Sequence, residues 1–276
     1  VLSELPSQWQ DALARASAAA APLRTDNDGR LAPDRNEEYL FYQTVLGSLP
    51  VEATLAPPGA FTEPARAEYA DRIAAYMRKA TKEAKVNTSW VEPRPEHDAA
   101  VESFVRRALA SPAVMDALDP LARTVAYHGM WGSLAQVLLK LTSPGVPDIY
   151  QGNELWDLSL VDPDNRRPVD FEVREAALAS ISERRAALGG AVALARDLLA
   201  RALDGRIKLL VTHVALDVRR RYAALFAPSA AYVPVAVGGE REGHIIAYAR
   251  RAGDQEVIAK LLRASIAEGF LSLGKS

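Results

Sequence analysis

Residues 143–157 read Ser143-Pro144-Gly145-Val146-Pro147-Asp148-Ile149-Tyr150-Gln151-Gly152-Asn153-Glu154-Leu155-Trp156-Asp157, and the polar character continues through Val161-Asp162-Pro163-Asp164-Asn165-Arg166-Arg167-Pro168-Val169-Asp170. Pro147 to Gln151 is rich in strand formers and lies between Pro-Gly and Gly152, which predicts a short buried strand. That strand would open into a loop dense in carboxylates, with an amide, two guanidiniums and an indole. This inventory suits carbohydrate: hydroxyls call for bidentate polar partners, and the apolar face of a pyranose calls for an aromatic platform. Asx turns and Asp–Arg pairing would account for the same residues without any ligand, and residue types alone leave both readings open.

Upstream of this stretch the pattern is helical. Trp9, Ala12, Leu13 and Ala16 fall at helical spacing from Ser7 to about Pro22, and Thr25-Asp26-Asn27-Asp28-Gly29 then reads as a polar turn. A second helix is expected over Glu37–Leu49, ended by Pro50, and a third from a Thr62 cap, with Pro64 in its first turn, to about Lys85. Ala99–Leu109 and Leu121–Leu141 carry two more helical patterns. Downstream, helical periodicity returns over 172–225 with breaks at Gly189-Gly190 and near Gly205. Tyr232–Val237 and His244–Ala249 then read as two strands about a Gly238-Gly239 turn, with Glu256–Ala259 as a further joining segment. Ile258–Ala264 reads more helical than a closing strand would, so the last residues stay unassigned.

Composition narrows the function classes. The 276 residues are 49% hydrophobic and 25% charged, as in an ordinary globular chain. The net charge of -2 comes from 33 basic and 35 acidic residues mixed along the chain, so no basic stripe invites nucleic acid. Cysteine is absent, which excludes disulfides and thiolate metal sites and fits a reducing, cytoplasmic setting. The four histidines, His97, His128, His213 and His244, are never at ligand spacing, and His213 reads as a core histidine. No stretch approaches the roughly 20 apolar residues of a membrane span. The opening Val1-Leu2-Ser3-Glu4-Leu5-Pro6 lacks an initiator Met and a signal-like apolar core, and reads as the middle of something longer.

Three ordered stretches carry a family resemblance. Pro147 to Glu154 is similar to the last barrel strand and following loop of α-amylase-type (β/α)8 enzymes, and the run through Asp170 resembles maltooligosyltrehalose synthases in particular. Lys79-Ala80-Thr81-Lys82-Glu83-Ala84-Lys85-Val86-Asn87-Thr88-Ser89-Trp90 resembles a second signature of that family. Met130-Trp131-Gly132-Ser133-Leu134-Ala135-Gln136 resembles the helix entering the last strand. The implied fold is mainly α with some β: the C-terminal part of an amylase-type (β/α)8 barrel over 1–170, with a helical insertion and the last barrel strand near 147–151. A helical segment over 171–225 and a small β-rich piece over 226–276 would follow.

The resemblance also implies what is lacking. Such enzymes are retaining, with an Asp nucleophile, a Glu acid/base and a second Asp on earlier strands. The two principal carboxyls must lie roughly 5–5.5 Å apart. The last of the three belongs to a His-Asp motif ahead of the part resembling Val1–Pro6, and His97-Asp98, after Pro-Arg-Pro, stands in the wrong context. No catalytic residue is therefore carried over. Substrate-binding candidates are Asp164, Asn165 and Arg166, as sugar contacts or as braces for neighbouring loops, then Glu154 and Arg167, with Trp156 as platform or plug. Lys85, Ser89 and Trp90 could close over a chain end. Gly152 is read as a turn residue and Trp131 as core.

The implied activity converts the reducing-end α-1,4 linkage of a maltooligosaccharide into an α,α-1,1 linkage by intramolecular transfer. Its partners would be the maltooligosaccharide and the missing N-terminal part of the same enzyme, with no cofactor, metal, nucleic acid or membrane. Alone, a barrel without its earlier strands would expose edges and be inactive. The alternative is a noncatalytic maltodextrin-binding or assembly module.

Overall fold

The computed structural model describes residues 2–27, 29–240 and 242–262. They form two compact units, one of residues up to 127 together with Leu158–Arg167, the other of 128–157 and the residues from Pro168 onward. The chain is mostly helical with a few small sheets.

In the first unit, α1 (Pro6–Ala20) buries Trp9, Ala12, Ala16 and Ala20 along one stripe. The expected polar turn is instead a hairpin, β1 (Thr25–Asn27) antiparallel to β2 (Arg30–Ala32). Its strands are too short for alternation to show in the sequence. α2 (Arg35–Ser48) begins with a capping box: Asp34 accepts the amides of Asn36 and Glu37, and Glu37 accepts that of Asp34. The single turn α3 (Val51–Thr54) follows. α4 (Glu63–Ala84) starts after Thr62 as expected, although the threonine side chain makes no cap bond. α5 (Pro95–Ala110) leads to α6 (Pro112–Thr142), which runs through Pro120 instead of starting after it. Phe41, Tyr42, Ile73, Met77, Phe104 and Val105 are fully buried. Phe41 and Phe104 meet edge to face at 5.4 Å, an arrangement that adds roughly 1 kcal/mol to the area they bury.

In the second unit α7 (Phe171–Ala187), α8 (Ala191–Ala200) and α9 (Arg206–Arg221) are separated where Gly189, Gly190 and Gly205 take positive φ. Ile181, Leu194, Leu198, Ile207 and Leu209 form their core, with Leu134, Leu155 and Trp156 packed against it. A three-stranded antiparallel sheet follows, β3 (Ala231–Pro234), β4 (Ile245–Ala252) and β5 (Gln255–Leu262), with β4 central. Tyr248, Ala259 and Leu261 pack on Ala135, Leu138 and Leu139 of α6. Pro234, which cannot donate to a ladder, ends an edge strand.

Several expectations are corrected. Ile258–Leu262 is strand, not helix: the two-residue connection after Ala252 holds Gln255 opposite it and imposes the register. Residues 263 and 264 of that reading lie outside the described residues. Pro147–Gln151 is not a strand here. It is irregular, with Val146 97% and Tyr150 43% exposed, and no strand among the described residues pairs with it. An extended segment without a ladder partner leaves its backbone groups to water. His213 is exposed, because the buried face of α9 is made by Ile207, Lys208, Leu209, Thr212 and Ala215. Trp131 is half-buried.

Candidate functional site

The carboxylate-rich loop is divided between the units. Residues 158–167 lie with the first unit, held by α4. Glu68, Arg72 and Lys79 share one face of that helix, since separations of four and seven return to the same side. Arg72 grips Asp164 with two bonds, Nε to Oδ1 at 2.8 Å and Nη2 to Oδ2 at 2.9 Å. Nη2 also donates to the Leu158 carbonyl at 3.2 Å. The Leu160 amide donates to Asp164 Oδ2 at 2.7 Å, and Arg167 Nε lies 3.3 Å from Oδ1. Burial alone would raise Asp164, but Arg72 and the Leu160 amide outweigh it and keep the carboxyl below its usual range. The hydrogen bond from Arg72 to Asp164 raises the arginine in turn, against its own burial.

The rest of this loop is looser. Lys79 donates to the Asp162 carbonyl, and Arg166 pairs with the Asp162 carboxylate while 71% of its side chain stays exposed. Arg167 bonds Ser159 Oγ at 3.0 Å and reaches Glu68 at 3.7 Å. Asn165 keeps a buried amide oxygen with no hydrogen-bond partner.

One helical turn beyond Lys79, the Lys82 ammonium sits 4.8 Å from the centre of the Trp90 ring and 3.0 Å from Asp98. Trp90 is 59% exposed. Lys85 ends α4 in the left-handed region, φ 57°, the only described residue besides glycine at positive φ. A side chain there costs about 1 kcal/mol, which glycine would avoid. Ser89 Oγ accepts the Glu92 amide at 2.8 Å, folding the segment back on itself. Asn87 fastens it to the start of α2, donating to Asp34 at 2.6 Å and Glu37 at 3.1 Å, and His97 lies 3.0 Å from the same Glu37 oxygen. Burial would raise Asp34, but the bonds from the Glu37 amide, Asn87 and the Asn36 amide lower it overall.

Glu154 and Trp156 lie in the second unit. Arg174 bonds Glu154 Oε2 at 3.0 Å, the Gly152 carbonyl at 2.7 Å and the Asp170 carbonyl at 2.9 Å, tying both ends of this turn to α7. Trp156 donates its indole N–H to the Ala202 carbonyl at 2.7 Å. Buried Lys208 donates to the Leu155 carbonyl at 3.1 Å, and burial lowers its pKa. Gly152 takes φ 93°, and a Cβ there would meet Val169 at 3.4 Å. Gly152→Ala should therefore cost about 1–2 kcal/mol, mainly as backbone strain; an unchanged urea midpoint would refute the turn role.

The loop is legible in the sequence, but its anchors Arg72, Lys79, Arg174, Asn87 and His97 are not, because each pairs with a partner far along the chain. Lys208 alone had a signal, as the one cation on an apolar stripe. Asp164 and Glu154 are each engaged by a guanidinium, of Arg72 and Arg174 respectively. Among the candidate residues Arg166, Arg167, Lys85 and Trp90 are exposed. A separate pocket of about 360 Å³ in the first unit, lined by Phe61, Tyr69 and Met115 among others, contains none of the predicted site residues.

Proteins resembling this chain in both sequence and fold are carbohydrate enzymes named as synthases. A Mycobacterium tuberculosis protein described as a maltooligosyl trehalose synthase is 32% identical over 259 residues, which is 94% of this chain and 28% of that protein. The solved maltooligosyltrehalose synthase of Arthrobacter ramosus matches with a TM-score of 0.70 and 30% identity, over 99% of this chain and 30% of its own. A Sulfolobus tokodaii structure described as a hypothetical maltooligosyl trehalose synthase gives 0.68 and 28%, over 95% and 31%. No family model matches the chain. In sequence and fold the chain is thus similar to a portion of these synthases, spanning less than a third of their length, and a C-terminal portion fits.

Proposed function

We propose that this chain is the C-terminal portion of a cytoplasmic enzyme that converts maltooligosaccharides to maltooligosyltrehalose by intramolecular transglycosylation. It supplies substrate-subsite loops, and the catalytic carboxylates lie upstream of it. The supporting observation is the pairing of a clamped loop at Asp164 with an exposed Trp90 whose ring carries Lys82 and whose segment is folded back at Ser89. Intramolecular transfer needs the cleaved glucose to be held and turned while water is kept out, a task for braced loops with outward polar groups. Asn165, Arg166, Lys85, Ser89 and Trp90 are assigned to sugar; Asp164, Glu154, Arg167 and Trp156 hold the loops that present them. Residues 1–170 would complete the barrel, with 147–151 becoming its last strand once neighbouring strands supply a ladder, followed by a helical part to 225 and the β-rich tail.

The test is trehalose-end formation from maltopentaose. The chain alone should give none. Mixed with a polypeptide supplying the amylase-type N-terminal part, it should restore product; an associated but inactive mixture would overturn the proposal.

A further inference from the structure

Two arginines of the second unit share one aromatic ring and no carboxylate. The Arg219 guanidinium, in the last turn of α9, lies 4.7 Å from the centre of the Phe226 ring, and that of Arg250, on β4, lies 5.9 Å from it. Their sequence neighbours are matched in charge: Arg220 and Arg221 pair with Asp217, and Arg251 with Glu256. No ion pair to Arg219 or Arg250 is found among the described residues. Arg250 is 2% exposed. Its Nε donates to the Leu225 carbonyl at 3.0 Å, while Nη1 is buried without a hydrogen-bond partner. Arg219 is half-buried and donates to the carbonyls of Leu141 at 2.9 Å and Gly145 at 3.0 Å.

Those carbonyls do not balance the charge. Leu141 is in the last turn of α6, whose C-terminal end carries about half a negative charge. Against it stand two full positive charges, which arginine cannot shed by deprotonation. Burial, followed by the like charge of Arg250, pushes Arg219 below its ordinary range, as expected of a cationic pair short of an anion. The Phe226 face eases this but supplies no hydrogen-bond acceptor for Arg250 Nη1.

We propose that Arg219 and Arg250 form an oxyanion site beside Phe226, whose occupant presents a carboxylate or phosphate group. Guanidinium forks match the spacing of such oxygens, the half-buried Arg219 provides the approach, and the orphan Nη1 of Arg250 provides the inner donor. The group could belong to a free phosphate compound or to an acidic side chain of the polypeptide lying outside this chain. The arginine geometry is independent of the carbohydrate reading, and only the side-chain source of the anion rests on it.

Calorimetric titration of the whole chain with inorganic phosphate, with acetate, and with chloride at matched ionic strength tests it. The expected result is saturable one-to-one binding of phosphate, acetate or both, weakened at least tenfold by Arg219→Gln and unaffected by Arg220→Gln. Arg250→Gln should abolish it if that variant folds by circular dichroism; Arg219→Gln, at a half-exposed position, carries the test if it does not. Phosphate without acetate would identify a free phosphate occupant, and comparable acetate binding a side-chain carboxylate. No saturable binding, equal binding of chloride, or undiminished binding by Arg219→Gln would overturn the proposal.

Discussion

Asp164→Ala is expected to destabilise the first unit by about 2 kcal/mol, less than the roughly 3–5 kcal/mol of breaking a fully buried ion pair, because this pair is partly buried. Both oxygens of this carboxylate are engaged, by Arg72 on one side and by Arg72 and the Leu160 amide on the other. Its side chain is only 9% exposed and that of Arg72 15%. Most of the loss is the cost of an arginine left in place without its anion, so the double variant Arg72→Met/Asp164→Leu should recover much of it. Urea midpoints measure the first effect, and proteolysis between Leu158 and Arg167 shows whether the loop has left α4. A change below roughly 0.5 kcal/mol, the scatter of ordinary surface substitutions, would mean that Asp164 does not hold the loop.

The same contact has a definite pH dependence. Asp164 is lowered from an ordinary value of 3.8. A carboxyl depressed in the folded state contributes stability that is fully present above its unfolded pKa and is lost as pH falls through the folded one. The clamp should thus hold from neutral pH down to about 4 and fail only in more acidic solution. Asp164→Asn should flatten this acid limb of the stability curve, as read by urea midpoints across the range. A clamp that weakened between pH 7 and 5 would require a different titrating group and would refute its assignment to Asp164.

How much of this was legible in the sequence depended on the range of the interaction. α4 and α5 could be read because Tyr69, Ile73 and Met77, or Val101, Phe104 and Val105, declare a buried face through local spacing. The breaks at Gly189-Gly190 and Gly205 were legible because glycine alone takes those backbone angles at little cost. The strand at 147–151 was not decidable locally, since a strand exists only with its ladder partner and none is present among the described residues. Ile258–Leu262 erred the opposite way, with β4 imposing a strand on a helix-like pattern. For the candidate site, the loop announced itself through its charge density, but the guanidinium that grips Asp164 comes from Arg72, whose place on α4 carries no motif. Trp90 is exposed, whereas Trp156 packs against the helical core.

Trp156 offers the sharpest separation of plug from platform. Its ring packs on the core of α7, α8 and α9, its N–H is spent on the Ala202 carbonyl at 2.7 Å, and the Lys208 ammonium lies 5.8 Å from its centre. Trp156→Ala should therefore cost about 3 kcal/mol, from lost burial plus an unfilled cavity. Trp156→Phe keeps an aromatic body and loses the N–H bond, so it should cost roughly 1 kcal/mol. A stacking platform would respond differently, because phenylalanine retains a face for sugar and alanine would remove binding while sparing the fold. The informative comparison is the urea midpoint of both variants beside maltooligosaccharide affinity in the full-length enzyme. A plug loses stability in the order Ala, then Phe, and both folded variants keep their affinity. Alanine with its midpoint intact and its affinity gone would return Trp156 to the sugar and leave the helical core to Ile181, Leu194, Leu198, Ile207 and Leu209 with their aliphatic neighbours.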